Sequence, residues 1–394
     1  MTFRDRTFPA LNAVRAAGAL MVVLTHAAFN TGRINSGWVG AMLARFDFGV
    51  TLFFVLSGFL LSRPWFLAAA LGQPEPSARH YLWKRALRIL PLYWLVVVAA
   101  FLVDPQNKDA TWEDWVSQLT FTQLYRHDLL ASSLTQMWSL CSEVAFYLVL
   151  PLLCVALLGR RPTSLPLNRV LVGAGALAVG GVVWQTIVAQ IPGFHAHYAQ
   201  WLPGYLPWFM IGLGFAAVSA ELAVRPRDHV LERLGNDLTG CWILAAAVFA
   251  VACTPLAGPR LLLTPEGWQA GTKVVLYAVA GAFFVLPLVF GPEREGWVRK
   301  QLTGPVPFWL GEISYGIFAI HMLVLNLVFR ALDLDVFTGR FLTVALLTLA
   351  GTLVLATISF YLFERRVMRL KNVGFFARME PRRDTPQPQT EIAP

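Results

Sequence analysis

The chain has 394 residues, 56% of them hydrophobic and only 14% charged, with a mean hydropathy of +0.56. Soluble domains carry about a quarter charged residues, so this composition excludes a disordered chain, a collagen-like chain and most soluble enzymes. The net charge of +9, from 32 Lys and Arg against 23 Asp and Glu, is read as the positive-inside signature of a membrane protein, and no nucleic-acid partner is expected.

Ten apolar runs approach the roughly 20 residues that a spanning helix needs. They cover 11–30, 47–70, 88–103, 138–158, 170–191, 204–220, 238–256, 272–291, 307–329 and 341–363. The expected fold is an all-α polytopic transmembrane bundle of about ten spans. The first run is long, carries Arg15 and His26, and lacks a convincing small-residue cleavage site, so it reads as a span and not as a signal peptide. The four cysteines (Cys141, Cys154, Cys241, Cys253) fall in apolar runs without CxxC spacing, which points to neither a disulfide framework nor a metal site.

Alternate connections differ in basic content. With the N-terminus inside, 23 Lys and Arg fall on the inner side and eight on the outer, Arg15 lying within the first span. Both termini are therefore expected to be cytoplasmic. A membrane domain over 1–370 is followed by a basic, Pro-rich tail over 371–394 (Pro381, Pro386, Pro388), expected to be disordered. In the outer loop 104–137, Trp112, Trp115 and Leu119 share a helical face, as in a helix lying on the outer leaflet; a lid over an outer site is the other reading. His195 and His197 form an HxH without a third ligand nearby, so Phe194, Tyr198 and Trp201 around them read as interfacial aromatics first and a sugar-stacking platform second.

Ionisable residues inside a span are costly and so point to function. Arg15, His26, Glu143 and His321 stand out. Eleven residues separate Arg15 from His26, nearly three full turns, so both point the same way about 16 Å apart. Glu143 lies five residues below Trp138 and falls at a depth similar to that of His26, roughly 6–8 Å in, with His321 somewhat deeper. A histidine and a carboxylate at one level suggest a base and its orienting partner. Ser57 in LSGF reads as a small residue permitting close helix approach and bonding back to its own helix, not as a nucleophile. Lys84, Arg85 and Arg88 are an inner topology signal that could also grip phosphates.

Taken together, Arg15-x10-His26, GVTLFFVLSGFLLS (49–62), KRALRILPLYW (84–94), WSLCSEVAFYLVLP (138–151) and ISYGIFAIH (313–321) resemble the acyltransferase-3 family of integral membrane O-acyltransferases. The resemblance covers nearly all of 8–365. It implies a multi-pass protein of the bacterial inner membrane that moves an acyl group, acetyl or another short one, from cytoplasmic acyl-CoA to a hydroxyl of a cell-envelope glycan, glycolipid or other acceptor. Acyl-CoA would be a co-substrate, with no resident cofactor and no metal. It further implies catalytic roles for His26, Arg15 and Glu143, donor binding by Lys84, Arg85 and Arg88, and supporting roles for Ser57, Trp138, Ser139, Tyr315, His321 and Asp47. Two departures stand out. Thr51 occupies a position where many relatives carry an acid, with Asp47 one turn earlier as a possible substitute, and the C-terminal hydrolase-like domain of many relatives is missing. A proton-coupled transporter of a small solute or lipid-linked sugar also needs intramembrane Arg, His and Glu, but no internal repeat relates the two halves of the chain. A scaffold that has lost its chemistry is disfavoured by retention of Arg15, His26 and Glu143.

Overall fold

The computed structural model of the protein describes residues 7–126, 131–159, 162–188, 191, 196–260 and 265–372. Among them all regular structure is helical: α1 (Leu11–Asn30), α2 (Gly37–Ala44), α3 (Phe48–Ala70), α4 (Ala78–Val103), α5 (Trp112–Leu119), α6 (Met137–Leu158), α7 (Leu167–Val188) and α8 (Ala196–Ala199). The second half contains α9 (Leu202–Val224), α10 (Val230–Asn236), α11 (Leu238–Ala252), α12 (Gly267–Val289), α13 (Gly296–Leu302), α14 (Pro305–Ala331), α15 (Phe341–Ser359) and α16 (Arg365–Val367). Among the described residues nine helical segments are long and apolar enough to span, and α10 with α11, bent by 90° at their junction, can supply a tenth. The chain is a multi-pass membrane protein.

Most spans match the expected ranges within a few residues. The third is the exception, because α4 starts at Ala78 and not at 88. Ser77 caps it by accepting a bond from the His80 amide, and Lys and Arg are good helix formers whose long stems can carry charge away from apolar surroundings. Lys84, Arg85 and Arg88 therefore stand on a helix and not in a loop. The seventh run is also shorter than expected, ending at Ala252 ahead of Pro255. The tail beyond residue 372, with Phe194 and His195, lies outside the described residues.

Helices α3 and α9 form the most extensive contact and occupy the middle of the bundle, while α7 and α15 keep most of their surface outward. Two glycines permit the α3–α9 approach. A Cβ at Gly58 would strike the Phe209 carbonyl, and one at Gly212 would strike the Val55 carbonyl. Small residues at such crossings replace the hydrophobic drive that lipid cannot supply between helices. Around this pair, α1 lies between α3 and α14, and α15 covers α14.

The loop before α6 is fixed by Asp104 at the end of α4. Its carboxylate accepts from Ser132 Oγ (2.8 Å), Ser133 Oγ (2.6 Å), Asn326 Nδ2 (3.2 Å) and the Gln106 amide (3.1 Å). Burial would raise its pKa, but these bonds, that of Ser133 foremost, hold it below the usual carboxylate range. The node ties α4, the start of α6 and α14 together. Helix α5 docks beside it: Trp115 stacks on Phe101 at 4.5 Å, and Trp94 Nε1 donates to the Leu119 carbonyl (3.1 Å). Trp112, 73% exposed, points away, so the three residues expected on one outward face are divided between packing and surface.

Two outcomes are expected. A reporter fused after Pro394 reads cytoplasmic and one inserted at Gln106 reads external; an external C-terminus contradicts ten crossings. Gly212→Leu, which drives a side chain into α3, sharply reduces the monodisperse fraction in detergent chromatography, whereas Gly175→Leu, with open space around its Cβ position, leaves it unchanged.

Candidate active site

Four helices bring polar side chains together inside the bundle. Glu143 on α6 accepts short hydrogen bonds from Ser57 Oγ on α3 and from Tyr147 Oη one turn along its own helix, the latter at 2.6 Å. Arg15 on α1 and Arg85 on α4 lie close enough for their charges to act on this carboxylate, and Arg88 close enough to act on Arg15. Arg15 also donates to Asn12 Oδ1 (3.2 Å), and Arg85 Nε is buried without a hydrogen-bond partner. Ser57 thus bonds across the bundle and not back to its own helix; in α3 it is Ser62 that donates to the Gly58 carbonyl (2.6 Å).

His26 belongs to a second group, three turns further along α1. Its Nδ1 lies 2.9 Å from the Val22 carbonyl and 3.1 Å from Nε2 of His321 on α14. The rings are 5.0 Å apart and tilted by 40°. His321 is fully buried, and its Nδ1 lies 2.7 Å from the Phe318 carbonyl. His26 keeps some accessible surface. The expected pairing of His26 with Glu143 is therefore replaced by two separate pairings: Glu143 faces arginines, and His26 faces His321. Counting residues from span ends placed His26 and Glu143 at one level and His321 deeper, but that count knows neither helix tilt nor which helices adjoin. Here α14 is the extensive neighbour of α1.

The acyltransferase-domain profile of the acyltransferase-3 family matches residues 8–363. The chain belongs to the acyltransferase-3 family. It is an enzyme that transfers acyl groups other than aminoacyl groups. A peptidoglycan O-acetyltransferase of Listeria monocytogenes is 22% identical over 390 residues, covering 93% of this chain and 57% of its own length. An acyltransferase of Streptomyces mycarofaciens is 24% identical over 409 residues, covering 98% and 97%. No solved structure matches.

Asp47 accepts from Lys273 Nζ (2.6 Å) and from Tyr277 Oη, and its charge reaches His26. Lys273 stands on the second turn of α12, which begins at Gly267. Thr51 is fully buried, with Oγ1 unbonded. Trp138 packs on Tyr205 at 5.2 Å, and Ser139 Oγ donates to the Gln136 carbonyl (3.2 Å). Tyr315 pins α14 to α4 by donating to the Ile89 carbonyl (2.8 Å). Among the basic cluster, Arg88 is already engaged. It pairs with buried Glu364 (3.7 Å), donates to the Glu312 carbonyl (3.1 Å) and lies over the Tyr315 ring at 6.0 Å.

Three contributors went unread in the sequence. Glu364 lies just past the last apolar run and directly ahead of two arginines, and the π-helical turn Phe360–Glu364 carries it inward. Gln136, 1% exposed, donates to the Ala319 carbonyl (3.0 Å) just ahead of His321. Tyr147, four residues after Glu143, was readable from helical spacing alone.

These differences separate two arginines that the sequence grouped. Arg85→Ala is expected to weaken binding of a phosphate-bearing donor roughly tenfold or more, the worth of a charge-assisted hydrogen bond, with a smaller loss of melting temperature than Arg88→Ala, because Arg15 still faces Glu143. Arg88→Ala is expected to lower the melting temperature by several degrees, because Glu364 stays buried without its cation. Donor titration and thermal unfolding of each variant in detergent check the distinction.

Proposed function

We propose that this protein is a bacterial inner-membrane O-acyltransferase that moves an acetyl or other short acyl group from acyl-CoA to a hydroxyl of a cell-envelope glycan or glycolipid. The observation that carries the reading is the division of the interior into two polar groups along one helix, with cations gathered at Arg15 and Arg85 and a pair of imidazoles three turns further on. The relatives named for O-acetyl and acyl transfer support it.

In this reading the donor's phosphates dock at the α4 cluster, chiefly at Arg85 and Lys84, while Arg88 holds the helices that frame the entrance. Arg15 and Arg85 outnumber the single carboxylate of Glu143, which leaves the group attractive to an anion. Glu143, held by Ser57 and Tyr147, keeps those cations in place when no donor is bound. The pantetheine arm then follows α1, whose separation of Arg15 from His26, about 16 Å, is of the same order as that arm. At its end His26 takes the proton of the acceptor hydroxyl, the oxygen attacks the thioester carbonyl, and the thiol leaves as free CoA.

His26→Ala should reduce transfer by about 10²–10⁴-fold, the worth of a positioned base, while insertion and melting temperature stay near those of the parent protein. The check is release of free thiol from acetyl-CoA by protein in nanodiscs, with mass spectrometry of envelope glycans and lipids from a deletion strain to find the lost acyl mass. Near-native turnover by His26→Ala would falsify the catalytic assignment. Label retained on the parent protein but not on the variant would replace the direct route by an acyl-His26 intermediate.

A further inference from the structure

We propose that His321 is a positioning residue that fixes the tautomer of His26 and so makes Nε2 the atom that accepts the hydroxyl proton. The inference rests on the reading of His26 as the base.

The contacts leave a single consistent proton arrangement for two neutral rings. A backbone carbonyl is only an acceptor, so a ring nitrogen in hydrogen-bond contact with one must carry hydrogen. The Phe318 carbonyl, 2.7 Å from His321 Nδ1, therefore places the His321 proton on Nδ1. A neutral imidazole has one proton, so His321 Nε2 presents a lone pair. That lone pair faces His26 Nδ1 at 3.1 Å, which must then be a donor. The Val22 carbonyl, 2.9 Å from the same Nδ1, makes the identical demand from another direction. The opposite tautomer of His26 would set its Nδ1 lone pair against both a carbonyl and an imidazole lone pair. Nε2 of His26 is thereby the free base, and among the described residues no protein group hydrogen-bonds it.

The proton balance follows. The hydroxyl proton moves to His26 Nε2 as the oxygen electron pair bonds to the thioester carbonyl carbon. Collapse of the tetrahedral intermediate breaks the carbon–sulfur bond, and the departing sulfur takes that proton back from Nε2. The Nδ1 proton never leaves its site, and in the imidazolium state it remains bonded to the His321 lone pair. A carboxylate usually fills this orienting role. Here a neutral imidazole does so, and a neutral acceptor avoids the cost of a buried charge at a site with no exposure. Asp47, tied to Lys273, is the charged side chain whose charge reaches His26; the Val22 carbonyl and His321 hold the ring.

The test uses the full-length protein in nanodiscs with acetyl-CoA. His321→Leu should lower kcat by roughly 10- to 100-fold with donor KM unchanged; this is less than the roughly 10⁴-fold cost of a lost orienting carboxylate, because Val22 still holds Nδ1–H. His321→Gln, whose Oε1 can stand near the Nε2 position, should recover most of the loss, and the shorter His321→Asn should not. Nitrogen-15 spectra of histidine-labelled parent protein, assigned by difference with His26→Gln and His321→Gln, should show Nδ1 protonated and Nε2 unprotonated in both rings. An Nε2–H tautomer at His26 in the parent protein, or equal kcat in Leu and Gln variants that keep the parent's melting temperature, overturns the inference. If His26→Ala keeps its turnover, the reading of His26 as base fails instead, which is a separate outcome.

Discussion

A charge buried in an apolar bundle persists only where other side chains compensate it, and that constraint arranges the interior of this protein around Glu143. One carboxylate receives hydrogen bonds from α3 and α6 and faces cations from α1 and α4. Four spans are thereby committed to one meeting point. The approach of α3 to α9 through Gly58 and Gly212 sets the position of Ser57, and the capped extension of α4 down to Ala78 sets that of Arg85. The same rule operates at the end of the bundle near residue 364. Glu364 is carried inward by a π-helical turn and is met there by Arg88. Wide turns of this kind often sit at functional places in helices.

The second polar group obeys a different economy. His26 and His321 satisfy each other and two carbonyls without any ionised partner. Neutral imidazoles cost less to bury than ion pairs, and they can accept a proton only for as long as chemistry requires. Separation of the two groups along α1 keeps the arginines from opposing an imidazolium. A single helix thus sets the spacing between a region where arginines gather and one where two imidazoles meet. The Asp104 node serves that spacing indirectly, since it binds α14 to the loop that leads into α6.

The acyltransferase-3 relationship extends over residues 8–363 at identities of 22% and 24% to the two relatives described. The structure shows why the motifs read in the sequence are dispersed along the chain. Arg15 and His26 share a helix, but Arg15 meets the charge of Glu143 and His26 meets His321. Each motif supplies one wall of an interior that none could form alone.

Composition and hydropathy alone determined the class of the molecule, the approximate spans and which ionisable residues lie within them. Long apolar runs have one stable form in lipid, because every backbone polar group must be satisfied within the segment. An ionisable residue within such a run stands out against it, which is how Arg15, His26, Glu143 and His321 became legible. Helical periodicity also placed Arg15 and His26 on one face. Partner choice was not legible. It depends on tilt, on crossing geometry and on which span lies beside which, and a linear count along the membrane normal contains none of these. That is why Glu143 was assigned to His26 when it belongs with Ser57, Tyr147, Arg15 and Arg85. Tertiary packing decided the pairings because a hydrogen bond is made over about 3 Å, a scale on which neighbouring helices, and not sequence positions, determine what meets.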